Sequence, residues 1–423
     1  MVSTITEDGG WCWFQDPRVI HSGQSTYVGF VSTGHTDHKR AGEIRLASVP
    51  KRPVSRGQVR EIRLDGPPEE SQIGKWANDH NSPAFVPLPN GRTLALWSLH
   101  GQENCFYTRL IDPEHPENIG ERQVVVVSEK SRVTYSNPIY LASEGRLYNF
   151  FRGLDDSWKP SWVWSDDEGA TWSHGRILID VPSEVRHRPY VKYVSDGHGV
   201  IHFFFTEGHP RSFSNNVYHM AYRAGVGLCD SSGRFIAELE NGISKPEDAS
   251  LVWASSPRQT AWVIDSVIDE NGSPRLLFQV RDTSSGLEPD ETPGSIVYFM
   301  ATLKDGEWTT HYVAHAGPAL YNKEEDYVGL ACLNPRDPNQ LVISTRVNPS
   351  SGKQLTYWTL FVGRFAHNTG EIYWKRLSRR KSDCLRPVLM AKEDRSSQLY
   401  WLEGSYSSYT SYALSIMTRS VSL

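Results

Sequence analysis

Seven times along the chain one short pattern returns. A polar residue, often followed by Pro, opens an apolar run; a turn rich in Gly, Asn, Asp or Ser interrupts it; a second apolar run closes on a polar or charged residue. The copies run from Asp16-Pro17 through His21-Ser22-Gly23 to Gly34-His35, from Ser82-Pro83 through Pro89-Asn90-Gly91 to Leu99-His100, and from Asn137-Pro138 through Ser143-Glu144-Gly145 to Phe151-Arg152. They continue from Arg188-Pro189 through Ser195-Asp196-Gly197 to Gly208-His209, from Asp265 through Glu270-Asn271-Gly272 to Val280-Arg281, from Gly329 through Pro335-Arg336-Asp337 to Thr345-Arg346, and from Arg386-Pro387 through Lys392-Glu393-Asp394 to Glu403-Gly404. A two-stranded unit of this kind cannot bury its own faces, so its copies must stack on one another.

Divided among seven copies, 423 residues leave about 60 for each, room for a four-stranded blade with generous outer loops. The expected fold is all-β, a single seven-bladed β-propeller domain spanning residues 1–423. A sandwich with coincidental turns is the alternative. Runs such as Val200-Ile201-His202-Phe203-Phe204-Phe205 and Leu276-Leu277-Phe278-Gln279-Val280 favour the propeller, because they suit strands buried on both sides. Ser165-Asp166-Asp167-Glu168-Gly169-Ala170-Thr171-Trp172 matches the Asp-box, S-x-D-x-G-x-T-W, a hairpin turn whose Asp binds turn amides and whose Trp packs between strands. It speaks for fold and not for function.

Composition agrees. With 33 Gly and 25 Pro, turns interrupt the chain too often for a helical bundle, while 14 Trp, 19 Tyr and 15 Phe are enough to fill a large core. Net charge is −5, so nothing global attracts nucleic acid or an anionic membrane, and any anionic ligand must be held by a local cluster. A monomer is expected. No apolar run approaches the length needed to span a bilayer, and the opening Met1-Val2-Ser3-Thr4-Ile5-Thr6-Glu7 lacks the basic and apolar regions of a secretory signal. Cys12, Cys105, Cys229, Cys332 and Cys384 are odd in number, far apart and without a C-x-x-C pair, which reads as isolated buried thiols.

In every hairpin the first strand begins and the second ends on the same side of the disc, opposite the tight turn. His80, His100, Tyr135, Arg152, His187, Arg188 and Tyr190 all sit at such ends in the second to fourth copies, so they converge near one mouth of the central channel. Arg holds a carboxylate bidentately, His titrates near neutrality, and Tyr is a phenolic acid whose pKa a nearby Arg lowers. That combination suits proton abstraction beside a carboxylate. In a uronic acid, neutralising the carboxylate stabilises an enolate-like intermediate; a base removes the C5 proton and an acid protonates the departing O4, giving a 4,5-unsaturated uronate. A glycosidase would instead show a carboxylate pair. Asp79 and Glu207 are the candidates for one, and Asp79 reads better as the residue that orients His80 or caps the start of its strand.

The chain resembles the seven-bladed propeller polysaccharide lyases that act on rhamnose–glucuronate linkages, the ulvan lyases and the L-rhamnose-α-1,4-D-glucuronate lyases that trim gum arabic. The residues that carry the resemblance are Gly10-Trp11-Cys12-Trp13-Phe14-Gln15-Asp16-Pro17-Arg18, Asp79-His80-Asn81-Ser82-Pro83 with His100, Thr134-Tyr135-Ser136-Asn137-Pro138 with Arg152, and Arg386-Pro387 with Trp401-Leu402-Glu403-Gly404-Ser405-Tyr406. It implies that His80, His100, Tyr135 and Arg152 are catalytic, with His100 and Tyr135 moving protons and Arg152 with His80 clamping the carboxylate. It also implies that His187, Arg188 and Tyr190 bind an acidic polysaccharide or oligosaccharide outside the cell, which implies secretion. Elimination needs no cofactor; a structural calcium ion is allowed but not derivable from the residues. Some relatives carry a Cys/His zinc site, for which the scattered cysteines give no clear counterpart. An α-L-rhamnosidase using the other face, a sialidase reading Arg18, Arg188 and Arg386 as an arginine triad, and a non-catalytic glycan-binding propeller are the alternatives.

Overall fold

The structure is a computed structural model that describes residues 2–51, 59–154, 158–182, 188–211, 214–282, 296–321, 323–366, 369–379, 381–392 and 396–421. Its strands form seven antiparallel sheets, each a blade read from the axis outward. The first has Val19–Ser22, Ser25–Val31, Ile44–Pro50 and Arg60–Asp65; the second Ala84–Pro87, Thr93–Trp97, Cys105–Ile111 and Gln123–Val126; the third Thr134–Leu141, Arg146–Gly153, Lys159–Ser165 and Arg176–Ile177. The fifth has Gln259–Ile268, Pro274–Asp282, Ile296–Lys304 and Glu307–Gly317, and the sixth Ala331–Leu333, Gln340–Val347, Gln354–Ala366 and Glu371–Arg376. The strands of all seven hairpins expected from the repeat are the two innermost of a blade; in the seventh, Glu393 and Asp394 of the expected turn lie outside the described residues.

The fourth blade is larger. Beyond Val191–Ser195, Val200–Phe205 and Val217–Arg223 it adds Gly227–Cys229 and Phe235–Ala237, and Ser250–Trp253 pairs with the free end of Val217–Arg223. The seventh is built from both ends of the chain: Asp383–Ala391, Ser397–Ser408 and Ser411–Val421 are completed by Val2–Thr6, with Val2 opposite Arg419 and Thr4 opposite Met417. That pairing covers the edge of Ser411–Val421 and ties the two ends of the ring together.

Blades pack face to face through aromatic side chains. Phe150 and Phe203 join the third and fourth blades at 5.3 Å in an edge-to-face pair, and Tyr27 and Phe85 join the first and second at 6.2 Å. The Asp-box forms as expected between the outer strands of the third blade. Asp167 accepts from the Thr171 amide at 2.8 Å and the Thr171 hydroxyl at 2.6 Å, and Trp172 packs edge-on to Phe106 at 5.2 Å.

The channel is filled by the chain's own beginning. After the closing strand, residues 10–15 run into the ring, where Trp11, Cys12, Trp13, Phe14 and Gln15 are all buried. Polar groups from several blades hold this plug: Cys12 N donates to Asp79 O at 3.0 Å, Gln15 Nε2 to His80 O at 2.5 Å, Lys192 Nζ to Trp13 O at 2.6 Å, and Arg386 donates to Trp11 O. Trp11→Ala is therefore expected to destabilise the protein by about 3–5 kcal/mol, since a wholly buried Trp leaves a cavity that the surrounding ring cannot collapse into. Chemical denaturation monitored by tryptophan fluorescence measures this, and a loss below about 1 kcal/mol would show that the plug is dispensable.

Candidate active site at the channel mouth

His80, His100 and Tyr135 are aimed by local departures from regular strand, and Arg152 by its place at the end of one. Asp79–Asn81 is a 3₁₀ turn capped by the Asn78 side chain, whose Oδ1 accepts from His80 N at 3.0 Å. Asn81 Oδ1 in turn accepts from His100 N at 2.6 Å, which ties the end of one strand of the second blade to the turn that leads into the other. Tyr135 lies in a register shift between Thr134 and Asn137 and has φ of 66°, a left-handed conformation unusual for a residue with a side chain. Arg152, next to last in Arg146–Gly153, donates from Nε to Trp158 O at 3.3 Å and places its guanidinium 3.9 Å over the Tyr190 ring.

The rings of His80 and His100 stack 4.3 Å apart at 13°, and both lie against Tyr135, at 5.7 and 5.9 Å. Tyr190 lies 6.5 Å from Tyr135. The structure thus brings His80, His100, Tyr135, Arg152 and Tyr190 together. Arg188 is exposed, near enough for its charge to act on His209, and His187 lies outside the described residues. His80, Tyr135, Arg152 and Tyr190 are buried, while His100 keeps a partly exposed edge.

Behind this group is a buried ion-pair chain. Asp79 Oδ2 accepts from Arg386 Nη1 at 2.6 Å and from the Tyr406 hydroxyl at 3.0 Å, and Asp79 Oδ1 lies 2.5 Å from His80 Nδ1. Burial works against the charge on Asp79, but Arg386 and His80 outweigh it and hold its pKa down to about 2. Burial likewise works against charge on His80, yet Cys12 and Asp79 hold its pKa up at about 10, so this imidazole is a cation at neutral pH. His100 goes the other way: burial, then the charges of His80 and Arg152, push its pKa well below the ordinary value of 6.5, and it is neutral. For Tyr135 the expected lowering by Arg152 is overturned. Burial, reinforced by Tyr190 and Cys12, outweighs the guanidinium and raises its pKa well above 10, so it stands as a neutral phenol.

The sequence missed several neighbours. Tyr327 reaches His80 Nε2 with its hydroxyl at 3.2 Å, and Tyr409 packs edge-on to His80 and His100 at 5.2 and 6.0 Å. Tyr327 comes from the long connection between Glu307–Gly317 and Ala331–Leu333, and Tyr409 from the tight turn between Ser397–Ser408 and Ser411–Val421; neither carries a repeat signal. All five cysteines are unpaired and buried, but Cys12 is not isolated: its sulfur lies within 4.8 Å of ligand atoms of Asp79 and His80. This trio does not fit a metal ion. Asp79 already receives Arg386 and Tyr406 on one oxygen, and a cation held by the trio would have to face that buried guanidinium.

Other sequence readings find little support. Glu207 is turned to Asn216 and Tyr218, accepting at 2.6 Å from Asn216 N, while Asp79 is neutralised, so the two do not form a glycosidase pair. Arg18 pairs with Asp16 at 2.7 Å and Arg386 with Asp79, so two members of the supposed arginine triad are already bound by carboxylates of the chain itself.

Fold and mouth together define a seven-bladed propeller with a His/Tyr/Arg cluster at one end of its plugged channel. The chain belongs to the BNR repeat-containing family, whose profile matches residues 25–316. No curated protein sequence matches it. Among solved structures it is similar to a PL25 polysaccharide lyase, an ulvan lyase, with a TM-score of 0.69 and 14% identity over 98% of this chain and 95% of that chain. A second structure of such a lyase, bound to -[GlcA(1-4)Rha3S]-, gives 0.68 at 14% identity over 98% and 94%. The NanB sialidase of Streptococcus pneumoniae, as a single-site mutant, gives 0.48 at 10% identity over 99% and 92%.

Removing Arg386 leaves the Asp79 carboxylate buried with its main neutraliser gone. Arg386→Met is expected to cost about 3–5 kcal/mol in a denaturant titration. A near-neutral effect would show that the pair is not needed to hold the mouth together.

Proposed function

We propose that the protein is a polysaccharide lyase that cleaves rhamnosyl-α-1,4-glucuronate linkages by β-elimination, leaving a 4,5-unsaturated uronate. The observation that carries this reading is the stack of a cationic His80 on a neutral His100, with the Tyr135 phenol and the Arg152 guanidinium beside it. The full-length likeness in fold to ulvan lyases supports it.

The substrate carboxylate is clamped by Arg152 with His80, whose ring nitrogens face Asp79 and Tyr327 and which contributes through its positive charge, and this lowers the cost of the enolate-like intermediate. His100, neutral, takes the C5 proton, and Tyr135, protonated, gives a proton to O4 as the C4–O4 bond breaks. The electron pair from the C5–H bond becomes the C4–C5 double bond, and the departing rhamnosyl residue keeps O4 and leaves with a free anomeric hydroxyl. Arg188 and Tyr190, with His187, extend the binding surface along the acidic glycan, and the protein acts outside the cell. Gum arabic side chains and ulvan are candidate sources of such a linkage, alongside other uronate glycans.

Continuous ultraviolet absorbance during incubation with gum arabic and with ulvan, alongside an assay for reducing ends, tests this directly. New absorbance from the conjugated uronate is expected with one of them; reducing sugar without it overturns elimination in favour of a rhamnosidase. Arg152→Ala is expected to lower kcat by about 10²–10³, and Tyr135→Phe by about 10²–10⁴, in the same absorbance assay.

The pH profile follows from the shifts. His100 must be neutral, and its pKa is lowered, so the acid limb of kcat/KM falls below 6.5. His80 must keep its proton, and its pKa is raised, so activity holds through neutrality and declines as pH passes about 10. An acid limb above neutral pH would show that His100 is not the base.

A further inference from the structure

Across the aromatic floor from the catalytic group lies a second polar cluster. His209 and Arg211 lie in the connection after Val200–Phe205, and Glu324 in the one before Ala331–Leu333, so the hairpin geometry puts all three at the same mouth. His209 packs edge-on to Tyr190 at 5.5 Å, the ring that carries Arg152, and lies 5.4 Å from Trp262. Glu324 is joined to the other side of the site: its carbonyl accepts from Tyr327 N at 2.9 Å, and Tyr327 touches His80. The cluster therefore borders the position next to the uronate.

Its hydrogen bonds are incomplete in a telling way. Arg211 N donates to His209 Nδ1 at 3.2 Å, which leaves the neutral imidazole's proton on Nε2. That Nε2 is 3.7 Å from Glu324 Oε2, too far for a direct bond, and Oε2 has no hydrogen-bond partner although it is buried. A hydroxyl that parts the two side chains would accept from Nε2–H and donate to Oε2, giving the buried oxygen the donor it lacks. Glu324 Oε1 lies 3.4 Å from Arg211 Nη1, which also donates to Lys323 O at 3.5 Å, and the Arg211 side chain is 53% exposed, so the rest of its guanidinium fork faces the mouth side of the cluster and can serve an adjacent hydroxyl.

We infer that Glu324, with His209 and Arg211, forms a subsite for the neutral sugar joined to the uronate, taking it through vicinal hydroxyl groups. The carboxylate excludes a sulfate ester at that position, so the protein selects unsulfated rhamnosyl-glucuronate saccharides over sulfated ones. This rests on the lyase reading for the placement of the uronate. A carboxylate facing a sulfate repels it, and a site built to accept a hydroxyl's proton is left with an unpaired acceptor when that proton is replaced.

The test is calorimetric, on the full chain in the Tyr135→Phe background, which suppresses turnover. Saturated rhamnosyl-glucuronate oligosaccharides are titrated with and without a 3-sulfate on rhamnose. At least about tenfold tighter binding of the unsulfated form is expected, and most of that preference is expected to vanish in Glu324→Gln, which keeps the shape and loses the charge. Arg211→Met, at a half-exposed position, should weaken the unsulfated ligand several-fold without unfolding the protein. Equal affinity for both saccharides, tighter binding of the sulfated one, or a preference that survives Glu324→Gln overturns the subsite. The two readings fail separately: the charge-dependent preference without unsaturated product from the parent protein removes the lyase and keeps the subsite, and unsaturated product without the preference does the reverse.

Discussion

The guanidinium of Arg386 is wholly buried, and much of the molecule is arranged around satisfying it. It donates to Trp11 O in the plug, to Asp79 ahead of the second blade and to Tyr406 in the seventh, and it lies 5.4 Å over the Trp13 ring. A buried charge is tolerated only when paired and hydrogen-bonded, so these four partners cannot drift apart without exposing a large penalty. The same requirement reaches the chemistry. Asp79 shares one negative charge between two cations, Arg386 and His80, and Arg152 adds a third positive group nearby. The mouth is left with an excess of positive charge in a chain whose net charge is −5, which is the local condition for holding an anionic sugar.

That charge chain also separates two histidines that look alike in sequence. His80 touches Asp79 and keeps its proton; His100, stacked on a cation with Arg152 near, loses it. Two identical residues thus acquire opposite protonation states at one pH, the arrangement by which a single site holds a charge and accepts a proton together.

What was legible in the chain follows from the repeat. Turn chemistry and strand ends recur at positions that can be read directly, so the blades and the convergence of His80, His100, Tyr135, Arg152 and Tyr190 could be placed without coordinates. The rest lacks a periodic signal. Val2–Thr6 closes the ring through pairing with residues more than 400 positions away, which no local pattern encodes. Glu324, His209, Tyr327 and Tyr409 come from connections whose lengths vary from blade to blade. The direction of the Tyr135 shift failed for a different reason: a neighbouring charge can be read from sequence, whereas the depth of burial that outweighs it cannot.

Tyr135 and Arg386 show how closely fold and site are coupled. Each lies in a register shift at the start of an innermost strand, and each is a non-glycine residue with positive φ, 66° and 48°. Such a conformation costs about 1–3 kcal/mol and persists only where surrounding contacts determine it. Both residues are over-determined in that sense. Arg386 has its carboxylate, hydroxyl and carbonyl acceptors, and Tyr135 is wedged among His80, His100, Phe14 and Tyr190. In regular strand both side chains would follow the alternation of the sheet; the local turn-out aims them at the axis instead. The plug, through Phe14 against Tyr135 and Trp11 against Arg386, supplies part of what holds them there. The segment that fills the channel therefore also sets the geometry of the mouth, and stability and activity share the same contacts.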